Sequence, residues 1–315
     1  MLGSVFPLKA GSWPRIGQVA NLAYEGAFSM MRDDHQIQLQ DGRLLGYAVY
    51  GDPVGKPVFF FQGTPSSRLI HPDEDLTRSL GVRLVMMDRP GFGLSDFQPR
   101  RRLLDWPSDV AEVADLFGFD RFFVVGISGG GPYVAACAYR IPGRLAGAAI
   151  VSSMGPVDAP GATRGMPAIR RAGALVGRHT PCLLRPLIWF TSNPRRNPER
   201  FFARNTAHNP PADQVLLAQP GFRKMLMASY AEATRNGIQG YAWEVQILAQ
   251  PWGFRLEDIE TRIDLWHGEE DTSTPPAMAR YMDKVIPNCR ATYLPNEGHF
   301  LLFTHWEEIL TALLC

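Results

Sequence analysis

Three short apolar runs constrain the fold of this chain more than any other feature. They read VFFFQG (58–63), RLVMMD (83–88) and FFVVGI (122–127), and each has a Gly or Asp at or next to its end. Continuous runs of this kind, rich in β-formers, suit strands that are buried on both faces of a parallel sheet. A helical pattern lies between the second and third runs, DWPSDVAEVADLFGF, with Asp105 and Pro107 near its start and Gly118 at its end. The alternation predicts an α/β fold with a mostly parallel sheet.

The same alternation continues in both directions. IQLQDGRLLGYAVYG predicts a hairpin around Asp41-Gly42, and further strands are predicted at LAGAAIVSS (145–153), IDLWHG (263–268) and ATYLP (291–295). PYVAACAYRIP, PPAMARYMDKVIP and THWEEILTALL have helical patterns.

One long interval breaks this rhythm. Residues 156–251 are helical in pattern and interrupted by prolines, with twelve Lys and Arg against five Asp and Glu. We interpret 156–251 as an inserted helical cap over the carboxyl ends of the strands, where ligands bind in open α/β sheets. The α/β core is then predicted to comprise 35–155 and 252–315, preceded by an N-terminal extension, 1–34, that is predicted to be helical.

Composition narrows the functional classes. A hydrophobic content of 45% and a charged content of 20% are ordinary for a globular protein. The net charge of +1 provides no field for a polyanion, so no nucleic-acid partner is expected. No membrane span and no signal peptide are predicted, and the four scattered cysteines favour a reduced, cytoplasmic setting. No motif for a metal or an organic cofactor stands in its proper context, so none is expected. The sequence does not predict the number of subunits.

The third apolar run continues into a G-x-S-x-G motif. Gly126-Ile127-Ser128-Gly129-Gly130 follows a predicted strand and opens a predicted helix, which is the position of a nucleophile elbow. This context predicts Ser128 as a nucleophile and the Gly129 N–H as a donor to a developing oxyanion. The alternative is a glycine-rich turn in which Ser128 has no catalytic role.

A serine hydroxyl needs a general base that a third group holds in place. Asp271 and His299 follow predicted strands in the order acid, then histidine, that such sites require. They are predicted to be the acid and the base. His267 is a rival base, and Glu269 and Glu270 are rival acids.

The second oxyanion donor is expected in the loop FFFQGTPSSR, where we predict the backbone N–H of Thr64 in that role. A plain Gly-Thr-Pro turn is the alternative. Gln62 and Gly63, beside Thr64, and Phe300, beside His299, are predicted to contact substrate.

Four stretches together resemble the α/β-hydrolase family: MDRPGFGLSD (87–96), GISGGGP (126–132), HGEEDTSTP (267–275) and EGHF (297–300). The resemblance covers residues 35–315. It implies Ser128 as nucleophile, Asp271 as acid, His299 as base, and Gly129 and Thr64 as oxyanion donors. The stretch 87–96 is then expected to brace the floor of the active site. Members usually carry His-Gly where this chain has Gln62-Gly63, which puts the geometry of the oxyanion hole in question.

We therefore expect a serine hydrolase that cleaves a small ester with an apolar acyl or alkyl part. A cofactor-free perhydrolase, a peptidase cutting after an N-terminal proline, and a non-catalytic ligand receptor are the alternatives. Six aromatic residues of the insertion could line the substrate pocket or form its own core: Trp189, Phe190, Phe222, Tyr230, Tyr241 and Trp243.

Overall fold

The structure is a computed structural model that describes residues 35–166 and 168–315. The predicted helical extension at 1–34 lies outside the described residues. Eight strands form one sheet: β1 (His35–Gln38), β2 (Leu44–Gly51), β3 (Lys56–Phe61), β4 (Val82–Met87), β5 (Phe122–Ile127), β6 (Leu145–Val151), β7 (Ile263–Gly268) and β8 (Cys289–Leu294). Their order across the sheet is β1-β2-β4-β3-β5-β6-β7-β8. β2 pairs antiparallel with β1 and with β4, and every other pairing in this sheet is parallel.

The central strands are apolar throughout because both faces of the sheet are covered. Phe59 and Phe61 of β3 pack into one hydrophobic cluster, and Val58 and Phe60 pack into the other. This division follows the two-residue period of a strand, whose successive side chains point to opposite faces. The continuous apolar runs of the sequence are thus explained by two cores, one on each side of the sheet.

Twelve helices accompany the sheet in the described part of the chain. They are α1 (Glu74–Ser79), α2 (Trp106–Leu116), α3 (Gly131–Arg140), α4 (Ala168–His179), α5 (Leu184–Thr191), α6 (Pro198–Thr206), α7 (Pro211–Leu217), α8 (Pro220–Ala233), α9 (Gln239–Ala249), α10 (Pro276–Val285), α11 (Leu301–Thr304) and α12 (Trp306–Leu314). Buried residues of α2, α3 and α10 belong to one core, and those of α11 and α12 belong to the other.

Six of these helices, α4 to α9, lie between β6 and β7 and form a helical insertion. Polar contacts join the insertion to the sheet-bearing part of the chain: Ser66 Oγ lies 2.8 Å from Ser229 Oγ, and Arg68 forms an ion pair with Glu232 at 2.8 Å. The boundaries drawn at 155/156 and 251/252 stay predictions. Across 35–166 and 168–315, no helix combines the length and the apolar content needed to cross a bilayer.

The predicted α/β class is confirmed, and so are the individual elements. The hairpin at Asp41-Gly42 joins antiparallel β1 and β2, and each predicted strand is found within a few residues of its expected bounds. The short helix α1 was not predicted from the sequence.

Candidate active site

Ser128 lies at a sharp junction between β5 and α3. The strand ends at Ile127, a single 3₁₀ turn spans Ser128–Gly130, and α3 begins at Gly131. Ser128 has a φ of 57°, in the left-handed region that a residue with a Cβ rarely adopts. Backbone hydrogen bonds hold it there: its N–H donates to Ser152 O at 3.1 Å, and its carbonyl accepts from Met154 N–H at 3.1 Å. The junction has the strand–turn–helix form that the sequence predicted.

Two glycines allow the loop after β3 to approach this junction. A Cβ at Gly129 would come within 2.5 Å of Thr64 Oγ1, and a Cβ at Gly63 would come within 3.3 Å of Ser128 Cβ. The first distance is shorter than a packed contact, so a side chain at 129 would have to displace Thr64. The residues predicted as oxyanion donors, Gly129 and Thr64, are therefore neighbours, and Ser128 lies beside them.

Asp271 and His299 are in direct contact. His299 Nδ1 lies 2.8 Å from Asp271 Oδ2. Because an ionised carboxylate only accepts hydrogen bonds, Nδ1 carries the proton and Nε2 is left as the basic nitrogen. The other oxygen, Asp271 Oδ1, accepts from the N–H groups of Ser273 at 2.7 Å and Thr274 at 2.8 Å. Burial alone would raise the pKa of Asp271, but the facing His299 and the other hydrogen bonds outweigh it, and the pKa lies below its usual value.

The rival base His267 and the rival acid Glu269 have other contacts, and the rival acid Glu270 is exposed. His267 is buried, its Nε2 lies 2.8 Å from Thr274 O, and burial lowers its pKa. Because a carbonyl only accepts, that nitrogen donates and is not available as a base. Glu269 forms an exposed ion pair with Arg280 at 2.6 Å. Neither side chain lines a cavity that contains Ser128.

A cavity of about 70 Å³, here called the serine cavity, brings five of the predicted residues together, while Asp271, Gly129 and Gln62 do not line it. Ser128, His299, Thr64, Gly63 and Phe300 all line it. In the described part of the chain no hydrogen bond joins the Ser128 hydroxyl to His299. Such bonds are often long in the absence of substrate and shorten when it binds.

A larger, mostly apolar cavity of about 440 Å³ lies next to the serine cavity. The two share Thr64, Asn205, Asn209 and Ser273. The larger cavity lies mainly within the helical insertion, and its apolar lining includes Met154, Met166, Val176, Ile188, Tyr241 and Leu248. A third depression, of about 510 Å³, reaches Asp271 from the outside but includes neither Ser128 nor His299.

The Gln62 side chain lies away from the serine cavity. It is buried, donates from Nε2 to Met87 O at 2.8 Å and does not line the serine cavity. Gln62 therefore braces the loop, and it is Gly63 beside it that reaches the cavity. The Gln62 side chain points toward the end of the neighbouring strand β4, so its contact with substrate stays a prediction.

Arg89 holds the loop after β3 in place. Its guanidinium donates to Gln62 O at 2.6 Å, Gly63 O at 2.7 Å and Thr64 Oγ1 at 2.9 Å. The planar fork of an arginine matches several acceptors at once in a fixed geometry. The stretch 87–96 thus braces the floor of the site, as expected.

Glu244 of α9 connects this brace to the helical insertion. It is fully buried and lies 2.8 Å from Arg89 Nε and 2.5 Å from Arg101 Nη2. Tyr133, in the helix that follows Ser128, donates its hydroxyl to Glu244 Oε2 at 2.8 Å. Burial acts to raise the pKa of Glu244, but Arg89 and Arg101 prevail and lower it. Through Arg89, Arg101 and Tyr133, one carboxylate therefore links the loop after β3, the helix after Ser128 and the insertion.

Asp213 of α7 is a residue that the sequence analysis missed. It is buried, and its two oxygens accept the backbone N–H groups of His299 and Phe300, each at 2.9 Å. Gly298 makes room for it, since a Cβ there would lie 2.5 Å from Asp213 Cγ. Burial raises the pKa of Asp213, against the opposing effect of these N–H groups. The insertion thus holds the backbone of the loop that carries His299.

The six aromatic residues of the insertion divide among three environments. Tyr230 lines the serine cavity and Tyr241 lines the larger one. Phe222 packs edge-on against Phe300 and Phe303, and Trp243 donates its indole N–H to Arg101 O. Trp189 and Phe190 are exposed.

Comparisons with known proteins agree with this architecture. A non-heme chloroperoxidase from Streptomyces lividans is 33% identical over 124 residues, which are 38% of this chain and 45% of that enzyme's length. The chain thus spans less than half of this curated relative.

Solved structures resemble it over most of its length. An esterase from a Rhodococcus species has a TM-score of 0.65 at 19% identity, covering 90% of this chain and 98% of that one. A bromoperoxidase from Bacillus anthracis has a TM-score of 0.65 at 21% identity, covering 89% and 99%. At such identities the likeness establishes the fold alone. The family model of the alpha/beta hydrolase fold matches residues 56–305, and the chain belongs to this family.

Proposed function

We propose that this protein is a serine hydrolase that cleaves carboxylic esters with an apolar acyl or alkyl part. One observation carries the proposal: Ser128, in a left-handed backbone conformation at a strand end, shares a cavity with His299, whose Nδ1 lies 2.8 Å from Asp271. A nucleophile, a base and a group that orients the base are the parts that acyl transfer needs.

In the first half of the reaction, His299 Nε2 takes the proton from Ser128 as Oγ attacks the ester carbonyl carbon. The tetrahedral intermediate collapses, the alkoxide leaves with the proton from His299, and an acyl-serine remains. Asp271 accepts from Nδ1–H throughout and stabilises the imidazolium. In the second half, His299 removes a proton from water, which attacks the acyl-serine; the intermediate then collapses, Ser128 Oγ leaves with the proton from His299, and the acid is released.

The negative charge of each intermediate is proposed to lie between the backbone N–H groups of Gly129 and Thr64. The close approach of these two residues supports this assignment, and Arg89 keeps the Thr64 loop in position. In comparable sites one such donor contributes about 3–4 kcal/mol to the transition state.

The substrate class rests on the cavities. The 440 Å³ cavity is lined chiefly by apolar side chains and meets the serine cavity at Thr64, so an apolar group has a place to lie beside the reacting carbonyl. Among the described residues, no Asp or Glu lines either cavity. A peptidase that holds a free N-terminal amine would need such a carboxylate, which disfavours that alternative.

Perhydrolysis is the second candidate, because one relative is named a non-heme chloroperoxidase and one structural neighbour a bromoperoxidase. In that reaction hydrogen peroxide replaces water in the second half and the acyl-serine yields a peracid. The same acyl-enzyme serves both, so the ratio of peracid to acid formed at equal ester turnover separates them.

The test of the hydrolase proposal is labelling with a p-nitrophenyl alkylphosphonate, followed by mass spectrometry of the folded protein. We expect one adduct on Ser128, none in Ser128→Ala, and loss of ester turnover in the same variant. Ser79→Ala is the matched control, since Ser79 is exposed and does not line the serine cavity, and it is expected to be labelled and to turn over ester as the parent does. A Ser128 that stays unmodified in folded protein would favour a non-catalytic ligand receptor.

A further inference from the structure

Helix α5 and the segment before it expose an unusual amount of apolar surface. Five of the nine large apolar side chains exposed in the described part of the chain lie within residues 175–190: Leu175, Leu183, Leu187, Trp189 and Phe190. Trp189 is 49% exposed and Phe190 is 71% exposed. In α5 only Leu184 and Ile188 are buried. Single exposed apolar residues are normal, but a group of them marks a surface that contacts something else.

All the Asp, Glu, Lys and Arg side chains of the segment around α5 are positively charged. Residues 159–198 contain seven arginines and no Asp or Glu. Arg171, Arg185 and Arg196 are exposed, and none of them has an acidic partner among the described residues. Arg196 lies over the Phe190 ring at 6.0 Å, so cationic and apolar groups occupy one surface. We call the exposed side chains of residues 171–196 the Arg–Trp face.

The Arg–Trp face is continuous with the 440 Å³ cavity. Leu187 is 37% exposed and also lines that cavity, together with the buried Leu184 and Ile188 of the same helix. Leu187 thus belongs both to the apolar part of the face and to the lining of the cavity.

We propose that the Arg–Trp face docks on an anionic lipid surface. Large apolar side chains combined with arginines are typical of segments that lie in the headgroup region of a membrane. Trp189 and Phe190 insert between the headgroups, and Arg171, Arg185 and Arg196 face the lipid phosphates. A second copy of the chain fits less well, because a symmetric contact would bring two surfaces of like positive charge together. The proposal goes beyond ester hydrolysis and does not depend on turnover.

The experiment is co-sedimentation of the full chain with vesicles of equal parts phosphatidylglycerol and phosphatidylcholine. We expect binding that weakens as salt is raised and is absent with pure phosphatidylcholine. Each of Arg171→Gln and Arg185→Gln is expected to lower the partition coefficient about fivefold. Trp189→Ser combined with Phe190→Ser is expected to abolish binding. All replaced side chains are exposed, and thermal unfolding of each variant checks that it folds as the parent does.

Lys224→Gln and Leu116→Ser are the matched controls, since both residues are exposed outside the face. They are expected to bind as the parent does, and so is Ser128→Ala, which separates docking from catalysis. The proposal is overturned if the parent binds neither kind of vesicle, binds both equally, or loses as much binding through the controls. It is also overturned if sedimentation without vesicles shows a dimer that the Trp189 and Phe190 variant dissociates.

Discussion

At the scale of single residues, the close approach of Gly63 to Ser128 makes a sharp test. A Cβ at 63 would lie 3.3 Å from Ser128 Cβ, so Gly63→Ala must shift one of them by a few tenths of an ångström. Because small displacements of reacting groups are costly, we expect kcat/KM for a p-nitrophenyl ester to fall about tenfold or more. Unfolding in urea should change little. Gly221→Ala, where an added Cβ meets nothing within 4 Å, is the control and should keep full activity.

The lowered pKa of Asp271 predicts a dependence of stability on pH. A carboxyl group whose pKa is lower in the folded state stabilises that state above its ordinary pKa, about 4. The contribution is lost as the pH falls through the folded value. The difference in free energy of unfolding between the parent and Asp271→Asn should therefore be constant above about pH 5 and shrink below pH 4.

Urea unfolding of the two proteins at several pH values measures this difference. A difference that grows as the pH falls would show the opposite sign of the shift. The same variant should lose about ten thousandfold in kcat, because an amide does not hold the imidazole in the required tautomer.

At the scale of secondary-structure elements, Asp213 ties α7 to the loop of His299. In Asp213→Ala two buried N–H groups lose their acceptor, each at a cost of about 1–3 kcal/mol. We expect lower stability and a fall in kcat that exceeds any rise in KM, since Asp213 lines neither cavity. Asp213→Asn, which keeps one oxygen acceptor, should recover part of the kcat. If kcat is unchanged in folded Asp213→Ala, the contact is structural only.

Most elements could be predicted from the sequence because their causes are local. The period of apolar residues, the Pro and Gly at helix ends and the Asp-Gly hairpin turn all act within a few residues. Asp213 could not be predicted this way. It follows Pro211 in the first turn of α7, where an acidic residue is ordinary helix-start chemistry, and its partners are 86 and 87 positions away. The role of Glu244 could not be predicted either. It is an isolated charge in an apolar helix, and its partners are also distant in sequence.

At the scale of the whole molecule, the sheet topology explains why the sequence predicts which segments form the candidate site. β5 lies near the middle of the sheet, and β6, β7 and β8 follow it in order. The carboxyl ends of these parallel strands meet at one edge, which brings the segments of Ser128, Asp271 and His299 together. Motif order along the chain was therefore enough to predict that these segments meet. The roles of Gln62 and of the exposed aromatics depended on packing between distant segments, which no motif encodes.

The central claim is that Ser128 and His299 work as one unit. The most direct measurement is the kcat of Ser128→Ala, His299→Ala and the double variant with a p-nitrophenyl ester. The preparations must first be shown to be free of contaminating esterases. Residues that act in one proton transfer give non-additive losses. We predict that each single variant loses nearly all of kcat and that the double variant is no slower than either. A Ser128→Ala protein that keeps its turnover, or single losses that multiply in the double variant, would contradict the account.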